Sequence, residues 1–128
     1  MNLPEELRYT KSHEWVKDQP DGSVKIGLTD FAQKELSDIV FVNLPQKGDP
    51  AQAEESLADV ESVKAVSDIY SPVTGIVQAV NEELLDTPGL LNETPYESWI
   101  VQIGEISHTE ELLTAEEYKK FLSAQEGD

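Results

Sequence analysis

The sequence predicts a mainly β fold, a small sandwich or barrel with a few short helices outside it. Three observations carry that prediction. Apolar and polar residues alternate with period two in short runs such as Val24–Leu28 and Trp99–Ile103. Turn chemistry recurs between the runs, as in Gln19-Pro20-Asp21-Gly22 and Lys47-Gly48-Asp49-Pro50. A well-capped helical period is clear only near the C-terminal end, and the 128 residues suit one domain spanning 1–128.

Taken in order, His13 to Lys17 reads as extended, and the turn at Gln19 to Gly22 folds it back onto Val24, Ile26 and Leu28, which alternate with Lys25 and Gly27. Thr29 or Asp30 caps a short helix through Leu36. Asp38 to Leu44 is β-branched and aromatic (Ile39, Val40, Phe41, Val42), and Pro45 ends it. Ser56 to Val66 is a further extended stretch. Tyr70-Ser71-Pro72 and Thr74-Gly75 punctuate the chain before Ile76 to Val80. Asn81, followed by Glu82 and Glu83, caps a helix that ends before Pro88-Gly89. Trp99, Val101 and Ile103 alternate with Ile100 and Gln102 in a last strand.

Thr114-Ala115-Glu116-Glu117 is a capping box, in which the Glu117 carboxylate reaches back to the Thr114 amide. Leu113 and Tyr118 take the staple positions, Tyr118, Phe121 and Leu122 form the apolar face, and the helix runs over about 114–123. Lys119 and Lys120 suit its C-terminal dipole. Gln125 to Asp128 is expected to fray. Val24, Ile26, Leu28, Phe41, Val60, Val77, Trp99 and Val101 are the expected core.

Asp and Glu number 26 against 9 Lys and Arg, a formal charge of −17. Such a surface repels phosphate backbones, so neither nucleic acid nor an anionic membrane is an expected partner. Disorder needs low hydrophobicity as well as charge, and here 38% of residues are apolar and clustered in alternating runs. With no cysteine, the chain has no disulfide framework, thiolate metal site or catalytic thiol. No apolar run approaches the ~20 residues of a spanning helix. Met1 to Glu6 has neither the basic nor the apolar region of a secretory signal, so a cytoplasmic protein is expected.

The common catalytic constellations are missing: no G-x-S-x-G, GxGxxG, P-loop or H-E-x-x-H. His13 and His108 lie far apart. His13 and Glu14 are adjacent on an extended segment and face opposite sides of a sheet, which disfavours a shared ligand. His13 is expected to pack or to lie at a strand edge, and His108 to sit in an exposed loop. The carboxylates are scattered, so no metal site is expected. Asn92-Glu93-Thr94 matches a glycosylation acceptor only formally.

The segment Val60 to Gly75 holds one lysine, Lys64, in a β-type stretch whose other charges are acidic. From composition alone a strand lysine is a solubilising charge. Val63-Lys64 is not a preferred hairpin turn either, since neither residue favours positive φ.

The segment nevertheless resembles the lipoyl-attachment site of the H-protein family of the glycine cleavage system. The likeness extends to Ser12-His13-Glu14-Trp15-Val16, to Gly27-Leu28-Thr29-Asp30-Phe31-Ala32-Gln33, and to Ser37-Asp38-Ile39-Val40-Phe41-Val42-Asn43-Leu44-Pro45. It continues through Glu61-Ser62-Val63-Lys64-Ala65, Asp68-Ile69-Tyr70-Ser71-Pro72, Asn81 with Leu84, Thr87 to Asn92, and Pro95-Tyr96 before Trp99-Ile100. It spans roughly residues 9–103, in the family's order and spacing. Glu35 and Phe31 stand where some members carry histidine.

The resemblance implies a flattened barrel-sandwich hybrid of the lipoyl/biotinyl-carrier type, with peripheral helices and a C-terminal helix. It implies that Lys64 sits at a hairpin tip and carries lipoic acid in amide linkage, with Glu61 and Gly75 at positions presented to the lipoylating enzyme, a lipoate ligase or lipoyltransferase. Taken alone, Glu61 reads as a solvated strand charge and Gly75 as a turn requiring positive φ. The implied function is that of a non-catalytic carrier. It takes an aminomethyl group from the pyridoxal-phosphate glycine decarboxylase to the tetrahydrofolate-dependent aminomethyltransferase. Electrons then pass from it to dihydrolipoamide dehydrogenase. Residues matching Ser12, Glu14 and Asp68 would lie near the amine of the carried group, where a carboxylate–ammonium contact is worth ~1.5–3 kcal/mol; taken alone, each is a surface charge or a turn cap. Alternative readings are a lipoyl donor or carrier for another lipoate-dependent pathway, and an acidic adaptor that bears no lipoyl group.

Overall fold

The computed structural model describes residues 2–125. Among them, strands β1 (Arg8–Tyr9), β2 (Glu14–Asp18) and β3 (Val24–Leu28) precede helix α1 (Asp30–Leu36). Strands β4 (Ile39–Asn43), β5 (Pro50–Ala51), β6 (Ser56–Ser62), β7 (Val66–Tyr70) and β8 (Val73–Val80) follow. The chain then forms α2 (Glu83–Asp86), α3 (Leu90–Glu93), β9 (Val101–Thr109) and α4 (Ala115–Gln125). The strands pair antiparallel in a six-stranded sheet, β1-β2-β3-β9-β8-β5, and a three-stranded sheet, β4-β6-β7. This is the expected mainly β architecture of two sheets with short helices and a C-terminal helix. No described helix is long and apolar enough to cross a membrane.

Local chemistry accounts for most of the elements. Gln19 to Gly22 turns the chain between β2 and β3 with Gly22 at φ +89°, and the Gln19 N–H donates to Ser23 O at 2.8 Å. Thr29 caps α1 by accepting the Ala32 N–H at 3.2 Å. The capping box of α4 forms reciprocally: the Thr114 N–H donates to Glu117 Oε1 at 2.9 Å, and the Glu117 N–H to Thr114 Oγ1 at 3.2 Å. Asn81 accepts the Glu83 N–H at the start of α2, but that helix is one turn long, and α3 forms beyond Pro88-Gly89 where no helix is expected. Of the tail expected to fray, Gln125 is instead the last residue of α4, and 126–128 lie outside the described residues.

The core lies between the sheets, where Val16, Ile26 and Ile103 meet Ile39, Val60 and Ile69. A second cluster, Leu7, Tyr9, Trp15, Tyr118 and Leu122, fixes α4 against β1 and β2. Six expected core residues are buried, Val24, Ile26, Leu28, Val60, Val77 and Val101. Phe41 is not: it is 49% exposed, because an irregularity between Ile39 and Phe41 turns Val40 and Phe41 outward together and returns Val42 to the core. Trp99 is only partly buried, packs with the second cluster, and has the Lys25 ammonium 4.8 Å above its ring. Ile100 takes the core place instead, its N–H donating to Ile26 O at 2.7 Å before β9 begins.

Three further expectations change. The stretch from Ser56 to Val66 is broken after Ser62 by a hairpin turn. Thr74-Gly75 lies inside β8 rather than in a turn. His108 belongs to β9, although its side chain is exposed and meets Glu110.

Candidate functional site

The turn between β6 and β7 is built by Ser62. Its N–H donates to Ala65 O at 2.8 Å, and its hydroxyl oxygen accepts the N–H groups of Lys64 and Ala65, both at 3.1 Å. A side chain thus does what a positive-φ turn would otherwise do, and no residue from 62 to 65 has positive φ. A second tether comes from outside the hairpin, where the Val63 N–H donates to Asp38 O at 3.0 Å. Asp38 is placed in turn by Asn92, whose Oδ1 accepts the Ile39 N–H at 2.9 Å and whose Nδ2 donates to Ser37 O at 2.8 Å. The formal glycosylation motif is therefore a structural brace.

Lys64 projects from this apex, exposed, and its Nζ donates to Glu35 O at 3.1 Å, at the C-terminal end of α1. Val63 and Val66 beside it are both 66% exposed. Glu35 also lines a groove of about 200 Å³ whose apolar wall is Leu28, Phe31 and Leu36 and whose polar residues include Ser12 and Asp68. Ser12 and Asp68 thus share one groove, and the lysine tip is linked to it through Glu35.

Glu14 lies one step further in. It is almost fully buried at the start of β2 and lines an adjoining cavity of about 490 Å³, which shares Ser12 with the groove. Its Oε1 accepts hydroxyl protons from Thr10 at 2.5 Å and Ser12 at 2.6 Å; its Oε2 accepts only the Tyr70 N–H, at 3.3 Å. Burial pushes the carboxyl above its usual range, and the Ser12, Thr10 and Tyr70 donors work against that rise. Among the described residues no basic side chain pairs with it. Oε2 is left with room for one more donor.

Asp68 is exposed on β7, opposite Asp59, and accepts the Ser56 hydroxyl at 3.1 Å. Glu61 stands on β6 between Phe41 and Val66, close to the hairpin tip. Gly75 is buried within β8, and its φ is not positive. The requirement for glycine is a close approach: a Cβ there would lie 2.4 Å from Gly104 O and 2.9 Å from Ile103 Cγ2. His13 is half-buried at the loop before β2, with Nδ1 2.8 Å from the Tyr118 hydroxyl; burial lowers its pKa, with the Glu35 carboxylate opposing. Among the described residues no group of three or more His, Asp or Glu is placed to hold a metal ion.

Thr10, the Tyr70 amide and the Glu35 and Asp38 carbonyls are parts of the site that sequence reasoning missed. The Thr10-x-Ser12-x-Glu14 spacing is the one local signal that points to any of them, and it points to Thr10, since short hydroxyl side chains fold back onto nearby groups in turns.

The chain matches the model of the glycine cleavage H-protein over residues 7–125. It is similar to the glycine cleavage system H protein of Lachnoclostridium phytofermentans, 55% identical over 122 residues that cover 95% of this chain and 96% of the relative. It is likewise similar to that of Halalkalibacterium halodurans, 54% identical over 125 residues covering 95% and 97%. The crystal structure of a glycine cleavage system H protein from Mycobacterium marinum superposes with a TM-score of 0.87 at 37% identity, covering 98% of this chain and all of that one.

Proposed function

The chain belongs to the glycine cleavage H-protein family, the non-catalytic lipoyl carriers of the glycine cleavage system, and from that premise we propose that Lys64 carries lipoic acid in amide linkage. The observation that carries this reading is the position of one amine. It is exposed at the apex of a hairpin held by Ser62 and Asp38, and it meets the main-chain oxygen of Glu35, a residue that lines the groove containing Ser12 and Asp68. When bound, lipoic acid supplies the reducible sulfur pair that a chain without cysteine lacks.

The chain's own residues provide attachment, shelter and charge. Lys64 offers an amine that an activating enzyme reaches without unfolding anything. Leu28, Phe31 and Leu36 give the groove an apolar wall, which favours the hydrocarbon part of a folded-back arm. Where the groove meets the adjoining cavity at Ser12, Glu14 accepts a hydrogen bond from the ammonium of the carried aminomethyl group, with Ser12 and Asp68 assisting. The burial that raises the free carboxyl's pKa also strengthens its contact with a cation. Glu61 and Gly75 serve recognition by the lipoate ligase or lipoyltransferase, Glu61 by its carboxylate beside the tip and Gly75 by the close strand packing behind it.

The partners follow: glycine decarboxylase loads the carrier, the tetrahydrofolate-dependent aminomethyltransferase unloads it, and dihydrolipoamide dehydrogenase reoxidises it, in the cytoplasm. The acidic surface suits transient docking to basic rims.

The test pairs intact-mass analysis with reconstitution. Incubation with lipoate ligase, ATP and lipoic acid should add one lipoyl group, located on Lys64 by fragmentation, and none to Lys64→Arg. The modified chain, mixed with the three enzymes, should restore glycine decarboxylation. An unmodified wild-type chain, or a Lys64→Arg variant that is still lipoylated, overturns the reading.

A further inference from the structure

The turn that presents Ser12 and Glu14 is held by a contact from the far end of the chain. Thr10 to His13 connect β1 to β2: the His13 N–H donates to Thr10 O at 3.2 Å, and the Thr10 N–H to Glu14 O at 2.9 Å. His13 closes the turn at φ +75°, a left-handed position that hairpin loops of this kind normally give to glycine. A side chain at that position needs compensating contacts. Its Nδ1 lies 2.8 Å from the Tyr118 hydroxyl, and its ring packs 4.7 Å from Phe31 and 6.1 Å from Phe121, centroid to centroid.

Tyr118 is fully buried on α4, and its hydroxyl also lies 2.9 Å from Thr29 Oγ1, the cap of α1. We assign the protons as Thr29 donating to Tyr118 and Tyr118 donating to a neutral His13 protonated on Nε2, which satisfies each group in the row. The Tyr118 ring stacks on Tyr9 at 4.9 Å, and Tyr9 exchanges both main-chain hydrogen bonds with Leu113 at 2.8 Å. Helix, strand and turn are thus tied at one hydroxyl.

We propose that Tyr118, acting through His13, is a positioning residue for the carrier function: it holds the 10–14 turn in the shape that brings Ser12 and Glu14 together at the cavity adjoining the groove. The proposal rests on the reading of Ser12 and Glu14 as ligands of the carried amine. The C-terminal helix thereby sets the geometry of the N-terminal residues of the site.

Two variants test it. Tyr118→Phe keeps the stacked ring and loses the hydroxyl; His13→Gly removes both the imidazole and the backbone penalty at +75°. In the unmodified chain of each variant, amide exchange at Thr10 and Glu14 should accelerate about fivefold or more, while Val60 and Ile103 keep wild-type rates. In the loaded chain at a temperature well below unfolding, loss of the carried amine should quicken about threefold or more, by the loss of docked population that follows a loosened turn. Wild-type exchange at residues 10 and 14 in both variants overturns the proposal, whatever Ser12 and Glu14 bind. Glu14→Gln separates the two layers. If it shortens the lifetime of the carried group while Tyr118→Phe and His13→Gly leave that lifetime intact, the positioning role is wrong. If Glu14→Gln leaves it intact, the cargo reading is wrong, and the exchange rates alone decide the role of Tyr118 in shaping the turn.

Discussion

Replacing Glu14 by Gln should make the protein more stable and the carried group less so. The buried carboxylate has two hydroxyl donors on Oε1 and one long amide contact on Oε2, with no cation beside it among the described residues. Its pKa is raised from the ordinary 4.5, chiefly by desolvation. The folded state therefore binds this proton more tightly than the unfolded state, and stability is lost as pH rises from about 4.5 through the raised folded value. Gln removes that loss, so the Tm of the variant should exceed wild type near pH 7, with the gap closing near pH 4.

The same substitution removes the charge that meets the ammonium. A charge-assisted contact of ~1.5–3 kcal/mol corresponds to about 13- to 160-fold in the ratio of docked to free arm. If amine is lost only from the free arm, and the arm stays mostly docked in both proteins, the half-life of the loaded form should fall by at least about tenfold. The assay loads the lipoylated chain with decarboxylase and glycine, removes the enzyme, and follows ammonia release. Opposite movements of Tm and half-life exclude general destabilisation as the cause. A half-life within about twofold of wild type, or a Tm that falls, refutes the reasoning.

Gly75→Ala should lower stability by about 1–3 kcal/mol, since the added carbon meets Gly104 O at 2.4 Å and β8 must move away from β9. A thermal melt should shift down by roughly 4–12 °C, and an unchanged Tm would contradict the packing account. Ser62→Ala removes the acceptor of two N–H groups at the hairpin tip, costs about 0.5–1 kcal/mol, and should raise the KM of lipoylation several-fold with little change in kcat. Steady-state ligase kinetics decide that, and an equal KM means the enzyme does not depend on an ordered tip. Association with the decarboxylase should weaken about threefold or more between ~0.05 and ~0.3 M salt, measured by titration, as expected of a −17 surface; salt-independent affinity argues against electrostatic docking.

What was legible in the chain was whatever local chemistry decides. Val24, Ile26 and Leu28 alternate because one face of β3 meets the core, and Thr114 with Glu117 closes a cap within a single turn of helix. The outward turn of Phe41 was not legible, because an irregularity between strands reverses the alternation without any glycine or proline to mark it. The Lys64 apex was hidden for a different reason. Its turn borrows the Ser62 hydroxyl and the Asp38 carbonyl in place of positive φ, and the second of these is a tertiary contact. Only the family resemblance singled that lysine out. His13 and Tyr118 meet across 105 positions, a separation that no local pattern spans.

The resting place of Lys64 on Glu35 O carries one more consequence. Acylation would cancel the positive charge yet leave one hydrogen on the nitrogen, so the same carbonyl can hold the root of the side chain before and after modification. The pivot would then be a main-chain atom at the end of α1, indifferent to which residue type occupies position 35. Mutation at that position could alter the local field, but it would not take away the anchor.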